Sequence, residues 1–246
     1  MFKKILLDEI ASTSNHAKRL IREGTIVEPT VVCAKRQTAG RGSRGRTWTS
    51  IEGNLLATFV FEPPCEPKDF HLLVYSLSLA TLDCVKAVCG KDQRAQVKWP
   101  NDILLNGAKV SGSLHEVETG PEKRFFVAGI GVNLVHSPNT KLIYKSTSLK
   151  EQDCNYRSTE EHLEFLSSLI WDRVSQFSQV PFSIVRTEFL SNLHGLNEHV
   201  QISVSGSRED SISGIFLGID GDGRMELRQD AGQIKKISTG TIFQLY

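Results

Sequence analysis

Three glycines and three arginines fall within seven residues at Gly40-Arg-Gly-Ser-Arg-Gly-Arg46, and Thr47 and Trp48 follow. Glycine lets backbone N–H groups approach a ligand closely and tolerates positive φ. Arginine supplies a planar, permanently charged fork that matches phosphate and carboxylate. Together they suit a polyanionic small molecule, although glycine/arginine loops also serve as flexible basic segments on RNA. Gly40, Gly42 and Gly45 have GxGxxG spacing. A dinucleotide fingerprint must also open a helix, and here a second strand follows; the GxxxxGK[ST] pattern of a P-loop is not matched either.

Three further segments could work beside this loop. In Lys98-Trp-Pro-Asn-Asp102, Pro100 disfavours a helical Trp99 and would hold Lys98, Asn101 and Asp102 in a fixed array at a strand end. A carboxylate beside a phosphate site is a natural magnesium ligand, and an asparagine can read a purine edge; an ordinary turn has the same composition. Lys109-Val-Ser-Gly-Ser-Leu-His-Glu116 places a mobile cation at the head of a strand, as a surface lysine also would be. Gly129-Ile-Gly-Val-Asn-Leu134 has glycines inside a strand, which mark close approach of a ligand or backbone, or a bulge.

The elements that must position these residues are legible from periodicity. A short helix is expected over 11–23, with Ala17, Leu20 and Ile21 on one face, and strands over 27–34 and 55–61. Residues 69–89 carry a wide apolar stripe, which predicts a buried helix. Strands are expected over 96–99, 103–105, 109–118 and 125–134, with Asn106-Gly107 as a hairpin turn. Ser158 and Glu161 form a capping box for a helix to about Phe177. Pro181 can open another helix to about Leu193. After Gly195 the texture changes to short strands over 200–204, 211–219, 224–227, 234–237 and 242–246, split by turns such as Gly221-Asp-Gly223. That pattern suggests a small β-barrel. The expected division is therefore 1–195 and 196–246.

Composition narrows the class. The chain has 246 residues, 39% of them apolar, with 29 basic against 28 acidic side chains and a net charge of +1. A nucleic-acid footprint would show a basic excess. Five cysteines (33, 65, 84, 89 and 154) have no CxxC spacing and read as reduced thiols of a cytoplasmic protein, not a zinc site. Asp8 and Glu9 interrupt the apolar start long before a signal peptide could form, and no stretch is long enough to span a membrane.

The order of the four segments resembles the biotin protein ligases, whose signature is a GRGRxGRxW loop, then KWPND, then a lysine before a glycine-containing strand, then GxGxN, after a Ser-Thr pair matched here by Ser12-Thr13. The resemblance implies an α+β fold: a class II aminoacyl-tRNA synthetase-like mixed sheet, with helices on one face, and a small C-terminal SH3-like barrel. It implies biotin lying between the loop and the sheet. The ring would be near Ser12, Thr13 and Gln37, with Gly40 in the surrounding loop and the carboxylate near Arg41 and Lys109. Gly129 and Gly131 would let the ligand lie flat. Arg44, Arg46, Trp48, Lys98, Asn101 and Asn133 would hold ATP, and Asp102 would face Mg2+. Arg41, Lys109 and Asp102 are the implied catalytic set. The acceptor would be a biotin carboxyl carrier protein, and a homodimer is within the family's range.

Three departures stand out. Ser43 occupies a usual arginine position that helps retain the adenylate, so the adenylate could leak or Arg44 could substitute. Ser14 follows Thr13 where asparagine is usual. Ser113 and His115 occupy positions that are commonly apolar. Only eleven residues precede Ser12, which leaves no room for the DNA-binding domain of repressor-type members, so no DNA partner is expected. A lipoate or octanoate ligase of the same superfamily, or a non-enzymatic nucleic-acid binder with steep salt dependence, are the competing readings.

Overall fold

The computed structural model describes residues 1–138, 145–205 and 209–245. Its larger sheet has seven strands: β1 (Lys3–Ile10), β2 (Thr30–Gln37), β3 (Leu55–Phe61), β4 (Ala95–Lys98), β5 (Asp102–Leu105), β6 (Ala108–Thr119) and β7 (Arg124–Val132). They lie in the order β1-β2-β3-β7-β6-β5-β4. Only β1 and β2 run parallel; every other pair is antiparallel. The Asn106-Gly107 turn expected between β5 and β6 is present, both residues at positive φ (50° and 78°). A two-residue turn of that hand matches the right-handed twist of the flanking strands.

Among the described residues, four α-helices flank the sheets: α1 (Thr13–Arg22), α2 (Leu73–Lys86), α3 (Thr159–Gln176) and α4 (Phe182–Ser191). Helix α1 is capped by Ser12, whose hydroxyl accepts from Asn15 N, and gives way to Gly24 at φ 69°. The expected capping box on α3 forms in both directions, Ser158 with Glu161. Such caps typically contribute about 1 kcal/mol.

Alternation along the strands divides the apolar residues between two faces. On one face Val31, Ala57, Phe59, Ala128 and Ile130 pack with α2, α3 and α4. On the other, Val32, Val60 and Val127 pack with Ala17 and Ile21 of α1. The expectation of helices on one face is therefore corrected: α1 covers the reverse side, because its short Ala17/Ile21 stripe fits the second row of valines.

The C-terminal segment forms β8 (His199–Ser203), β9 (Ser211–Ile219), β10 (Met225–Arg228), β11 (Ile234–Ile237) and β12 (Thr241–Leu245), a five-stranded antiparallel sheet ordered β11-β10-β9-β8-β12. The expected strand over 242–246 falls within β12, save that Tyr246 lies outside the described residues. No ladder joins β11 to β12 among the described residues, so the five strands of the expected barrel are present while its closure is not seen. One apolar cluster continues from α2 and α4 into Phe216, Met225 and Ile242. All five cysteines are free thiols, and no helix among the described residues is long and apolar enough to cross a membrane.

The sequence carries no clear strand signal before α1, yet Lys3–Ile10 forms β1. It is an edge strand with charged residues on both sides of the pleat (Lys3, Lys4, Asp8 and Glu9), so apolar alternation is weak.

Candidate active site

The loop after β2 folds back on itself. Trp48 N donates to Gly40 O at 3.0 Å, and Gly42 N donates to Arg46 O at 2.7 Å. A Cβ at Gly40 would lie 2.4 Å from Trp48 O, so glycine is required there for loop closure. Gly40 is not among the residues lining the cavity beneath the loop.

That cavity, of about 160 Å³, lies between the loop, the start of α1 and the face of β6 and β7. It brings together Ser12, Thr13, Gln37, Arg41, Asp102 and Lys109. Trp48, Asn133, Gly129 and Gly131 line it too. Its inner end is a chain of hydroxyl and amide contacts. Thr13 donates from N (2.8 Å) and Oγ1 (3.0 Å) to Gln37 Oε1, Thr58 Oγ1 donates to Thr13 Oγ1 at 2.8 Å, and Thr58 meets Ser14 Oγ at 3.1 Å. Thr58 is fully buried on β3 and was missed from sequence; only its place in an otherwise apolar strand signals it.

The glycines of β7 are covered. A Cβ at Gly129 would sit 2.5 Å from Ser14 Oγ, and one at Gly131 would sit 2.4 Å from the Trp48 indole. The indole therefore lies directly on the strand, where the sequence reading expected a ligand. Trp48 Nε1 is buried with no hydrogen-bond partner among the described residues. Lys109 Nζ stands 5.6 Å from the centre of the same indole and 2.6 Å from Asp102 Oδ1. The pair is partly open to water, the side chains 23% and 18% exposed. Gly112 makes room for it: a Cβ there would meet Lys109 Nζ at 2.7 Å and Asp102 Oδ1 at 2.9 Å. Gly112 lay inside a motif read from sequence, but only the fold shows what its missing side chain permits.

A second cavity of about 480 Å³ adjoins the first through Ser43, Arg46, Asp102 and Leu114. It lies between the Lys98–Asp102 turn and the C-terminal sheet, and Arg44, Lys98 and Asn101 line it, not the first cavity. The expected nucleotide group is thus split: Trp48 and Asn133 line one cavity, Arg44, Lys98 and Asn101 the other, and Arg46 both. Arg44 donates to Thr239 Oγ1 at 2.7 Å and to Thr241 Oγ1, so it is turned toward the C-terminal sheet. Ser43 Oγ instead accepts from Arg46 at 2.6 Å. Asn101 holds β6 through Ser113 O, and Asn133, itself buried, donates to Thr147 O at 3.0 Å.

Lys98 is only 6% exposed and donates to Ile242 O at 3.0 Å. Burial lowers its pKa to about 7, with Lys109 and Arg46 adding repulsion and Asp102 opposing it. An incoming anion would favour its charged form. His115 packs 5.7 Å from Phe126, and burial lowers its pKa to about 4. It is a neutral, partly exposed imidazole that lines the second cavity, with its buried Nε2 unpartnered among the described residues. No group of three or more acidic, histidine or cysteine side chains gathers for a metal among the described residues. A magnesium ion here could rely on Asp102 together with phosphate oxygens and water, since it commonly takes only one or two carboxylates from protein.

Residues 6–144 match the biotin/lipoate A/B protein ligase family, and residues 195–244 match the biotin protein ligase C-terminal domain. The chain belongs to the biotin/lipoate A/B protein ligase family. Within it the likeness falls on the biotin ligases. The biotin–[acetyl-CoA-carboxylase] ligase of Paracoccus denitrificans is 34% identical over 82% of this chain and 85% of that protein. The bifunctional ligase/repressor of Bacillus subtilis is 26% identical over 98% of this chain and 74% of its own length. In three dimensions, the biotin protein ligase of Aquifex aeolicus in complex with biotin and ATP superposes with a TM-score of 0.82. That pair shares 26% identity and covers 100% of this chain and 99% of the other.

Proposed function

We propose that this chain joins biotin to ATP, releasing pyrophosphate, and then transfers the biotinyl group from biotinyl-5′-AMP to a lysine of a biotin carboxyl carrier protein. The observation that carries the reading is the first cavity, which holds hydroxyl and amide groups (Thr13, Gln37) together with two cations, Arg41 and Lys109. A bicyclic urea with a carboxylate tail offers partners to both kinds of group.

In the first step a carboxylate oxygen attacks the α-phosphorus and the bond to the β-phosphate breaks. Both reactants are anions, so their repulsion opposes the approach. Arg41 and Lys109 offset that charge and favour the phosphorane as it forms. Lys98 and Arg46 add positive charge from the adjoining cavity, where the pyrophosphate would depart. Magnesium carried by the nucleotide would take Asp102 as its protein ligand and neutralise further charge. The adenylate is a mixed anhydride that water would destroy, and the Gly40–Trp48 loop lies over the cavity where it can exclude water. In the second step the acceptor amine attacks the acyl carbon, AMP leaves and the amine gives up a proton. Asp102, a carboxylate lining both cavities, would take it. Residues 1–195 would carry this chemistry, and 196–246 would wall the second cavity. The chain would act in the cytoplasm, which suits its five free thiols.

Incubation with biotin, ATP, magnesium and an isolated biotin carboxyl carrier domain is expected to add one biotinyl group, read by intact mass. Replacing the acceptor lysine by arginine should abolish the gain. Labelling that survives that replacement would count against site-directed transfer.

A further inference from the structure

Arg41 does not enter the cavity as an isolated cation. Its guanidinium meets Glu116 as a two-point fork, one nitrogen 3.0 Å from Oε2 and the other 3.0 Å from Oε1. The first nitrogen also donates to Asn15 Oδ1 at 2.9 Å. Lys18 Nζ donates to Glu116 Oε1 at 2.8 Å. One carboxylate of β6 thus binds a cation from the Gly40–Trp48 loop and another from α1. The side chains of Arg41, Glu116 and Lys18 are 35%, 23% and 16% exposed, so water screens them only in part. Burial alone would raise the pKa of Glu116; the hydrogen bonds from Arg41 and Lys18 outweigh it and hold the carboxyl below its ordinary range.

This arrangement leaves the arginine usable. A guanidinium has five N–H donors, and Glu116 and Asn15 occupy three. The remaining two have no partner among the described residues, on a residue that lines the cavity. A long side chain loses rotamer freedom when a ligand immobilises it. An arginine already fixed by a carboxylate loses less at the moment of binding. The same fork ties the loop to the strand headed by Lys109, while Asn15 ties it to the helix that begins with Thr13 and Ser14; Lys18 joins that helix to the strand, not to the loop.

We propose that Glu116 is a positioning residue for adenylate formation: it orients the Arg41 guanidinium toward the substrate carboxylate and anchors the Gly40–Trp48 loop over the cavity. The identity of that carboxylate rests on the biotin reading above; the loop anchor does not.

Glu116→Gln keeps the size but turns one acceptor into a donor, so the fork cannot form. KM for biotin in pyrophosphate exchange is expected to rise about tenfold while kcat stays within about threefold, the pattern of lost pre-organisation. In an Arg41→Ala background the same substitution should change KM by less than about twofold, because Glu116 acts through Arg41. Lys18→Met removes the other cation but not the fork and should leave both constants near wild type. Without any substrate, tryptic cleavage within the 40–48 loop should quicken about tenfold in Glu116→Gln and not in Lys18→Met. The cleavage readout judges the anchor even if the wild-type protein shows no biotin-dependent exchange, which would instead sink the proposed function. An equal KM rise in both Arg41 backgrounds, an equal effect of Lys18→Met, or wild-type KM and cleavage in Glu116→Gln would overturn the assignment.

Discussion

Lys109→Ala is expected to lower biotin-dependent pyrophosphate exchange by about 10²-fold or more, the usual scale for one preorganised charge contact in a site of this kind. Among the described residues, the site's other cations are held elsewhere. Lys98 is buried and bonded to Ile242 O, Arg41 is held at Glu116, four residues beyond Gly112 on β6, Arg46 is bonded to Ser43, and Arg44 is turned to the C-terminal sheet. Lys109 stands between the Trp48 indole and Asp102, in space that Gly112 keeps open. The fold should tolerate the change. The Lys109–Asp102 pair keeps some contact with water, its side chains 23% and 18% exposed; fully exposed pairs contribute about 0–1 kcal/mol, and this one somewhat more. A purified variant that melts like wild type yet exchanges within about threefold of it would remove Lys109 from the catalytic set.

The second large effect is expected at Gly131. A Cβ there would sit 2.4 Å from two carbons of the Trp48 indole, well inside contact distance. Gly131→Val adds two methyl groups beyond that, so the indole must leave the strand. Trp48 closes the 40–48 loop through its backbone bond to Gly40, and moving it displaces the loop that covers the cavity. Displacements of about 1 Å near reacting groups commonly cost about 10²-fold in rate, and that is the fall expected in kcat/KM for biotin. Circular dichroism should remain that of the wild type, since β7 is paired along both edges. An unchanged kcat/KM would mean that the indole has no part in closing the site.

The groups that could be read from sequence are those whose chemistry is local. The Gly/Arg loop, the Lys98–Asp102 turn and the Gly129–Asn133 strand each announce themselves by composition, and the fold brings them to two adjoining cavities. What stayed hidden is pairing between distant segments. Glu116 looked like one more charge on a strand until Arg41 was seen against it, 75 residues away in sequence. Thr58 is a lone hydroxyl in an apolar strand, and its bonds to Thr13 and Ser14 exist only once α1 docks. Arg44 and Arg46 are equivalent in the sequence, but a left-handed backbone at Arg44 (φ 56°) turns the loop, and the two side chains meet different partners. The glycines of β7 did signal close approach, as their spacing suggested. The approaching groups, however, are Trp48 and Ser14 of the chain itself. The same limit explains β1, whose pattern is weak because an edge strand keeps charge on both faces.

The most direct test of the account is ATP–pyrophosphate exchange by the wild-type protein with magnesium, comparing biotin, lipoate and octanoate at equal concentration. Exchange is expected to require biotin and not to occur with either alternative. Exchange with lipoate or octanoate but not with biotin would contradict it, leaving the fold and the adenylating chemistry in place but assigning the cavity to a different acid.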